Sequence, residues 1–406
     1  MFDPIRASEE IKSSYIDYIT TSFDMADRDY ALSLKRALEQ EGMSAKGPYL
    51  DIGGSYETGH TLRELIQSGN ASPLFAELEP VPEKERELKL DRPLYLHQEK
   101  ALKKALSGQS LVVTTGTGSG KTESFLLPVL NHILTEVQNN ALDSGVRAII
   151  IYPMNALAND QIKRMRALLK NYPRIRFGIY NGNTPHKHSE ALGEYHKTHR
   201  DANGAAVNPL CNELISREEM QSEPPHILIT NYSMLEYMML RPKDDRVFSG
   251  AKLKYIVLDE AHIYKGATGM ETSLLMRRLR ARISKPDSVQ YILTSATLGG
   301  PDADSEIVSF SEKLTGVSFS TSGIIRSSEK QPAMLENRDV DPALFLELSR
   351  TQEGVGQILK RAELDFTTDG SAEEKLYALF LHLRLFSILR REAKSPITVS
   401  QLHAAL

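Results

Sequence analysis

The sequence predicts an α/β protein in which a parallel sheet is flanked by helices, with helical extensions at both ends. Short apolar runs alternate with longer helical patterns over residues 91–325, as in parallel sheets covered on both faces. Several of these runs are almost continuously apolar, which is typical of strands that are buried on both sides. A glycine-rich turn also separates the first run from a helical pattern. The predicted strands are Leu111–Thr115, Arg147–Tyr152, Ile175–Tyr180, His226–Thr230, Tyr255–Asp259 and Tyr291–Thr294.

The composition allows a large buried core and excludes several classes of protein. The chain has 406 residues, of which 41% are hydrophobic, and a formal net charge of −4. That charge argues only weakly against nucleic-acid binding, because backbone amides and local basic patches can grip phosphates. Cys211 is the only cysteine, which excludes an internal disulfide framework and fits a reducing, cytoplasmic location. No apolar run reaches the ~18 residues of a membrane span, and the N-terminus lacks a signal-peptide pattern, so no membrane association is expected.

The chain divides into three predicted regions. Residues 1–90 form a helical N-terminal extension, and residues 91–325 form the α/β domain. Residues 326–406 are helical by pattern, with a strong amphipathic or buried helix over Leu376–Arg391. We expect this last region to be the start of an inserted or following domain in a truncated chain.

A phosphate-binding loop is predicted at 115–122, where TGTGSGKT leads from the first strand into a helix that opens at Glu123. Glycines let consecutive backbone N–H groups face inward, and these donors hold phosphates together with the helix N-terminus. Lys121 adds a positive charge, and Thr122 offers a hydroxyl to Mg²⁺. A glycine-rich turn without a ligand is the alternative interpretation. The predicted nucleotide-binding residues of this loop are Thr117, Gly118, Ser119, Gly120, Lys121, Thr122 and Glu123.

Two acids, Asp259 and Glu260, follow the apolar strand that begins at Tyr255. Side chains at the carboxyl ends of parallel strands lie at the mouth of the sheet, where ligands bind. Asp259 is expected to hold Mg²⁺, directly or through water, and Glu260 to orient and deprotonate the attacking water. Lys121, Asp259 and Glu260 are therefore the predicted catalytic residues, with ATP and Mg²⁺ as cofactors. An acidic, solvent-exposed loop is the alternative.

Three segments together resemble the first RecA-like lobe of the superfamily 2 DEAD/DEAH-box helicases. They are DEAH at 259–262, the phosphate loop at 115–122 and Ser-Ala-Thr at 295–297. Thr115 stands where the strict phosphate-loop pattern has glycine, a replacement that these helicases often carry. The resemblance implies a RecA-like P-loop domain that hydrolyses ATP.

The segment PLYLHQ at 93–98 resembles the upstream glutamine motif of these helicases. The resemblance implies that Gln98 reads the adenine edge of the nucleotide. Tyr95 has two interpretations: it stacks on the adenine, or it belongs to the core or a linker.

Two further segments resemble the motifs with which these helicases grip nucleic acid, namely motif Ia at 152–161 and motif Ib at 230–235. The resemblance implies contacts with the phosphates of one strand, which carry no sequence information. It also implies that Ser295 and Thr297 couple the ATP site to the strand through a hydrogen-bond relay, and His262 is expected to link that site to a neighbouring lobe. The implied strand contacts are Pro153, Asn155, Ala156, Thr230 and Asn231.

Residues 180–185 and 263–280 resemble a narrower branch. It contains the DUF1998-associated bacterial repair helicases related to the Hrq-like proteins, and the large helicases of phage-defence systems such as DISARM and Druantia. The expected function is an ATP-dependent DNA helicase or translocase of phage defence, with DNA repair as the rival pathway. A nucleotide-gated binding or docking module without unwinding is the alternative, and a P-loop ATPase with no nucleic-acid role is a third.

Expected partners are single-stranded or forked DNA ahead of RNA, and other subunits of a defence system. The family's second lobe supplies an arginine finger, which adds several orders of magnitude to comparable phosphoryl transfer. After Thr297 the sequence shows no second set of RecA-type strands and no Q-x-x-R-x-x-R pattern. We therefore expect a second RecA lobe or a C-terminal region outside this chain, and weak ATP hydrolysis by the chain alone.

Two clusters keep two interpretations each. The arginines between Arg277 and Arg282 lie on a predicted helix and form either a nucleic-acid contact or a salt-bridged face. Four histidines between His186 and His199, with Cys211 nearby, have the residue types of zinc ligands. Their spacing fits no standard zinc pattern, so a solvated loop or an insertion is favoured.

Overall fold

The structure is a computed structural model that describes residues 3–23, 26–40, 42–50, 56–78, 88–116, 118–200, 204–283, 285–299, 301–330, 386–389, 397–398 and 401. The chain divides into two compact units. One combines Met1–Ser55 with Lys330–Leu406, and the other runs from Tyr56 to Glu329. Elements are numbered along the chain.

The first unit contains two helices, α1 (Pro4–Ser22) and α2 (Arg28–Glu39), and a short antiparallel pair of strands. The strands are β1 (Tyr49–Leu50) and β12 (Ile397–Thr398). Both helices begin at an aspartate whose carboxylate accepts hydrogen bonds from the backbone of the first turn, which is a favoured N-cap arrangement. Most of the region predicted as helical over 326–406, including most of the amphipathic helix, lies outside the described residues.

The second unit is built on a fully parallel sheet of eight strands in the order β11-β4-β10-β9-β5-β8-β6-β7. An antiparallel pair, β2 (Thr58–Thr61) and β3 (Pro93–Tyr95), precedes it in the chain. The predicted parallel sheet is thus confirmed, and the six predicted strands are present with ends that differ by at most two residues. The sheet strands are β4 (Leu111–Thr114), β5 (Ala148–Tyr152), β6 (Phe177–Tyr180), β7 (Glu213–Leu214), β8 (Ile227–Asn231), β9 (Tyr255–Leu258), β10 (Gln290–Ser295) and β11 (Ile324–Arg326).

Helices cover both faces of this sheet, so that two separate apolar cores form. Successive side chains of a strand point to opposite faces: in β5, Ile150 lies in one core, whereas Ile149 and Ile151 lie in the other. Burial of each such side chain contributes about 1.5–3 kcal/mol. The helices of this unit are α3 (Leu62–Gln67), α4 (Leu96–Leu106), α5 (Lys121–Gln138), α6 (Asn155–Leu169), α7 (His188–Thr198), α8 (Arg217–Ser222), α9 (Tyr232–Leu240), α10 (Asp245–Phe248), α11 (Gly266–Arg282) and α12 (Asp304–Thr315).

The compact unit begins well before residue 91, where the sequence predicts the domain boundary. Leu62 and Phe75 are buried in the same core as α4 and α5. The side-chain oxygen of Asn131 on α5 accepts a hydrogen bond of 2.7 Å from the backbone of Ser72. The described residues from Tyr56 onward therefore complete one face of the sheet. In the described part of the chain, no helix has both the length and the apolar character that crossing a bilayer requires.

The order of the central strands determines which loops meet. Strand β10 lies between β4 and β9, and β5 and β8 continue the sheet on the far side of β9. Because all these strands are parallel, the segments that follow them emerge at one edge. This edge therefore receives the phosphate loop, the acids after β9, the end of β10, and the two segments predicted to grip a strand.

Candidate ATP and strand site

The phosphate loop bends through two glycines in the left-handed region, Gly118 at φ +74° and Gly120 at φ +71°. Helix α5 then begins at Lys121. Thr115, where the strict pattern has glycine, is buried, and its hydroxyl accepts a hydrogen bond of 2.7 Å from Ser119 Oγ. This threonine therefore fixes the two ends of the loop to each other, a role that sequence reasoning missed. Thr117, a predicted nucleotide contact, lies outside the described residues.

The structure brings Lys121 and Glu260 together. Lys121 Nζ lies 2.9 Å from Glu260 Oε1, and their side chains are 12% and 23% exposed. Asp259 lies beside them and accepts a hydrogen bond from the hydroxyl of Thr294 on β10. Thr122, the predicted hydroxyl ligand of Mg²⁺, is partly buried in the first turn of α5. The predicted catalytic residues thus converge at the edge of the sheet.

The environment of Asp259 disfavours its charged form. Burial raises the pKa of this carboxyl group, and the hydrogen bond from Thr294 partly opposes that rise. The neighbouring Glu260 charge raises the pKa further, whereas Lys121 lowers it. Glu260 itself has a left-handed backbone at φ +48°, a conformation that costs a non-glycine residue free energy and recurs at functional sites.

His262, Ser295 and Thr297 form a connected group at the end of β10. His262 Nδ1 lies 3.1 Å from Ser295 Oγ and 3.3 Å from Glu260 Oε2. Thr297 joins through its backbone N–H, which donates to Ser295 Oγ over 3.1 Å. The backbone carbonyl of Ser295 also accepts a hydrogen bond of 3.1 Å from Thr115 N, at the start of the phosphate loop. Geometrically, this group connects both halves of the ATP site.

Gln98 braces the phosphate loop. It is almost fully buried, its Nε2 donates to the carbonyl of Gly120 over 3.1 Å, and its Oε1 accepts from Tyr95 N over 2.9 Å. Its neighbour His97, which sequence reasoning missed, donates from Nε2 to the carbonyl of Ser119 over 2.8 Å. Burial lowers the pKa of His97, so this brace carries no charge at neutral pH. Adenine recognition by Gln98 stays a prediction.

Tyr95 packs within an aromatic group beside this brace. Its ring is stacked on His97 with ring centres 5.5 Å apart, and Tyr56 contacts it edge-on at the same separation. The hydroxyl of Tyr56 lies 3.1 Å from the position of a Cβ built at Gly116. The aromatic group therefore lies against the start of the phosphate loop.

Glu123 differs from the other residues predicted to touch the nucleotide. Its side chain is almost buried, and its Oε1 lies 2.5 Å from Arg164 Nη2 on α6. Arg92 approaches the same oxygen at 3.9 Å. The carboxylate thus faces two arginines, and its principal partner lies on α6, the helix that begins within motif Ia.

The residues predicted to grip a strand lie at the carboxyl end of β8 and just after β5, two strands that are neighbours in the sheet. Asn231 Nδ2 donates to Asn155 Oδ1 over 2.7 Å, so the two predicted motifs touch. Pro153 and Asn155 are partly buried, and Ala156 is exposed. Contact of Thr230 with a nucleic-acid strand stays a prediction. That residue is fully buried, and its hydroxyl donates to the carbonyl of Tyr180 over 2.7 Å.

The arginines of α11 form a salt-bridged face. Each guanidinium group is held by a carboxylate or a backbone carbonyl of a neighbouring segment. The partners are the Lys313 carbonyl for Arg277, Glu236 for Arg278, Asp287 for Arg280 and Asp245 for Arg282. Of the two interpretations left open by the sequence, the structure favours this one over nucleic-acid contact.

The histidines between His186 and His199 do not converge. His188 Nδ1 lies 2.8 Å from Glu219 Oε1, whereas His196 Nε2 lies 2.9 Å from Asn208 Oδ1. Both lie on α7, so this segment is a helix rather than the predicted loop. Among the residues that the structure describes, no group of three or more His, Cys, Asp or Glu side chains is arranged to hold a metal ion.

Comparison with known proteins agrees with this geometry. The DEAD/DEAH box helicase family matches residues 95–305. Druantia protein DruE from Escherichia coli (strain UMEA 4076-1) is 33% identical over 400 residues, covering 77% of this chain and 21% of that protein. The ATP-dependent helicase hrq1 from Schizosaccharomyces pombe is 27% identical over 212 residues, covering 51% of this chain and 17% of that protein. The solved DUF1998 helicase MrfA, bound to DNA and AMPPNP, is 22% identical with a TM-score of 0.47, covering 77% of this chain and 40% of that chain.

This chain thus spans about a fifth of the length of the curated relatives named above. The range matched by the family contains the phosphate loop, both acids and the end of β10, which the fold brings together. The predicted family and the predicted resemblance to Hrq-like and Druantia-type helicases are confirmed. Membership of this family implies that the protein uses ATP. The chain belongs to the DEAD/DEAH box helicases.

Proposed function

We propose that this chain is the ATP-binding lobe of an ATP-driven DNA motor. The observation that carries the proposal is the content of one edge of the sheet. Lys121 and Glu260 lie there 2.9 Å apart. Asn155, just after β5, and Asn231, the last residue of β8, lie at the same edge and are hydrogen-bonded to each other over 2.7 Å. A nucleotide held by the first pair and a strand held by the second pair would therefore occupy adjacent positions on one rigid sheet.

The resting contacts suggest how the residues act. Phosphate oxygens of ATP would compete with Glu260 for the ammonium group of Lys121. Glu260, once released, is placed to orient and deprotonate a water molecule, the role of a general base. Backbone N–H groups of the loop and the N-terminus of α5 would hold the phosphates in place.

The residues present also fit a magnesium ion. Thr122 and Asp259 offer a hydroxyl and a carboxylate, the hard oxygen donors that Mg²⁺ prefers, and Mg²⁺ commonly keeps several waters and substrate phosphates as its other ligands. Asp259 is buried with a raised pKa, so a nearby divalent cation would offset the cost of its charge. When bound, Mg²⁺ would neutralise charge on the phosphates.

The proposed substrate is DNA, single-stranded or forked. Support comes from the similarity to Druantia protein DruE and to the ATP-dependent helicase hrq1, and from the resemblance of the sequence to a narrower branch of DNA helicases. A second RecA lobe, supplied by further sequence or by another subunit, would complete the nucleotide cleft. Action in phage defence, with repair as the rival, and a cytoplasmic location belong to the same proposal.

The test measures ATP turnover with and without single-stranded DNA, and with RNA of equal length. With a second RecA lobe present, we expect DNA to stimulate turnover, Lys121→Ala to abolish it, and a forked duplex to be separated only when ATP is present. Stimulation without strand separation would instead identify a nucleotide-gated binding module. Turnover that no nucleic acid stimulates, or that survives Lys121→Ala, would contradict the proposal.

A further inference from the structure

Helix α6 connects two sites that the motifs treat separately. At its first residue, Asn155 contacts Asn231 at the proposed strand site. Nine residues later, Arg164 reaches α5 and lies 2.5 Å from Glu123. At 1.5 Å of rise per residue, these two positions lie about 13 Å apart along one rigid helix.

Glu123 places this contact directly against the phosphate loop. It lies in the first turn of α5, two residues after Lys121. A Cβ built at Gly120 would lie 3.1 Å from Glu123 Oε2, so the carboxylate packs on the loop itself. Any movement of Arg164 therefore shifts a group that touches the loop.

Arg164 and one of the acids that follow β9 both act on a buried tyrosine. Tyr152, at the end of β5, is buried, and burial raises the pKa of its hydroxyl. The charge of Asp259 raises that pKa further, whereas the charge of Arg164 lowers it. Both charges thus act on one side chain, which places Arg164 close to the catalytic side of the sheet as well as to the loop.

The pair is hard to separate. The Arg164 and Glu123 side chains are 21% and 10% exposed. Separation of a largely buried ion pair leaves charges without compensation in a medium of low dielectric constant. The first turn of α5 and the body of α6 are therefore expected to move together, so that a strand which shifts α6 also shifts the phosphate loop.

We infer that Arg164 is a positioning residue that makes ATP turnover respond to the strand, acting through Glu123. It touches neither the strand nor the phosphates. It holds the phosphate loop in a position that depends on the position of α6. This inference rests on the proposed function, because it requires a strand bound at Asn155 and Asn231.

The same helix offers a matched control. Arg166 is 20% exposed, against 21% for Arg164, and it also pairs with a buried carboxylate. Its partner is Glu213 of β7, at the far end of the sheet from the phosphate loop. Arg164→Met and Arg166→Met thus remove the same charge from the same helix with similar exposure.

The experiment measures ATP turnover by the protein with its second RecA lobe present, with and without a single-stranded thymidine oligonucleotide, for wild type and both variants. We define the stimulation factor as ATP turnover with the oligonucleotide divided by turnover without it. Arg164→Met should reduce this factor about 10-fold, which lies within the range typical of coupling between sites. Turnover without the oligonucleotide should change little. Arg166→Met should keep the wild-type stimulation factor. Equal loss in both variants, or no loss in Arg164→Met, would overturn the inference.

Two further variants protect the test. Substitutions of two residues that act through each other do not have additive effects. Adding Arg164→Met to Glu123→Gln should therefore cause no further loss of stimulation. Additive losses would contradict the inference. If Arg164→Met does not fold, Arg164→Lys keeps the charge and should retain part of the stimulation, whereas full wild-type stimulation would count against the contact between Arg164 Nη2 and Glu123 Oε1. Absence of stimulation in the wild type would refute the proposed function itself.

Discussion

Lys121 and Glu260 stand 139 positions apart in the chain, yet an ion pair joins them at the sheet edge. The pair exists because β10 fits between β4 and β9 and brings both loops to the same level. In this resting arrangement, the candidate base is neutralised by the group that should bind phosphate. Nucleotide binding would then release the base, which would limit hydrolysis in the absence of a correctly seated phosphate chain.

Glu260→Gln should separate binding from chemistry. The amide cannot accept a proton from water, so we expect kcat to fall by at least ~100-fold, the usual scale of general-base catalysis. Lys121 would lose its resting partner, so nucleotide affinity should stay the same or increase. Steady-state turnover and titration with a non-hydrolysable ATP analogue measure the two effects. The control is Glu236→Gln on α9, which removes the acid paired with Arg278 of α11. It should change neither kcat nor nucleotide affinity.

Gly120→Ala should destabilise the protein more than Gly118→Ala. Both glycines are left-handed, at φ +71° and +74°, which costs an alanine about 1 kcal/mol. Only at Gly120 would the added Cβ collide with a neighbouring atom, the Nε2 of Gln98. Gln98 would have to give up its two hydrogen bonds, worth about 1 kcal/mol each. Denaturant unfolding measures the difference, expected to be about 2 kcal/mol.

The contribution of the Gln98 side chain can be isolated with a double variant. In a Gln98→Ala background, the additional cost of Gly120→Ala should fall to that of Gly118→Ala, because the obstructing side chain is gone. An unchanged cost would mean that the strain at Gly120 has a source other than the glutamine.

Asn231 has two separable roles. Its Oδ1 accepts from Met234 N over 2.7 Å and caps α9, while its Nδ2 donates to Asn155. Asn231→Asp keeps the cap but loses the donor and adds a negative charge, so stability should change by less than about 0.5 kcal/mol while affinity for single-stranded DNA falls. Asn231→Ala should lose the cap and cost about 1 kcal/mol. Fluorescence anisotropy with a labelled oligonucleotide, together with thermal unfolding, distinguishes the two variants.

Asp259→Asn should stabilise the fold and abolish turnover. Burial raises the pKa of Asp259 above its ordinary value of 3.8, so the folded state binds the proton more tightly than the unfolded state does. The stability linked to that proton is fully present below pH 3.8 and is lost as the pH rises through the folded pKa. At pH 7 the neutral asparagine, which can still accept the bond from Thr294, avoids this loss. Unfolding at several pH values should show the advantage of the variant shrinking toward pH 4.

Local pattern was sufficient for the interior of the sheet. Strands β5 and β9 are apolar runs with buried faces on both sides, and such runs can be recognised without knowing their neighbours. The phosphate loop and the acids could be found for a similar reason, since their residues are contiguous in sequence. Strand order is different, because pairing of β10 between β4 and β9 depends on contacts between distant segments.

The features that sequence reasoning missed are those that depend on such contacts. β7 has two residues and β11 has three, too few for a periodic signal. The Glu123–Arg164 pair spans 41 positions, and nothing in either segment predicts the other. The motif predicts that Thr230 contacts the nucleic-acid strand. Its position deep in the sheet depends on the neighbouring strands, and there its hydroxyl donates to the carbonyl of Tyr180.

The neutralised outer face of α11 bears on how a strand would respond to ionic strength. Arginines that already pair with carboxylates, as Arg280 and Arg282 do, neutralise few phosphates and therefore displace few of the counterions condensed on DNA. The dependence of DNA affinity on salt concentration reflects the number of phosphates that are newly neutralised on binding. At the proposed strand site, asparagine side chains and backbone amides would hold the DNA strand and would neutralise few of its phosphates. The logarithm of the binding constant should therefore vary only shallowly with the logarithm of salt concentration, unlike that of a protein with a free basic groove.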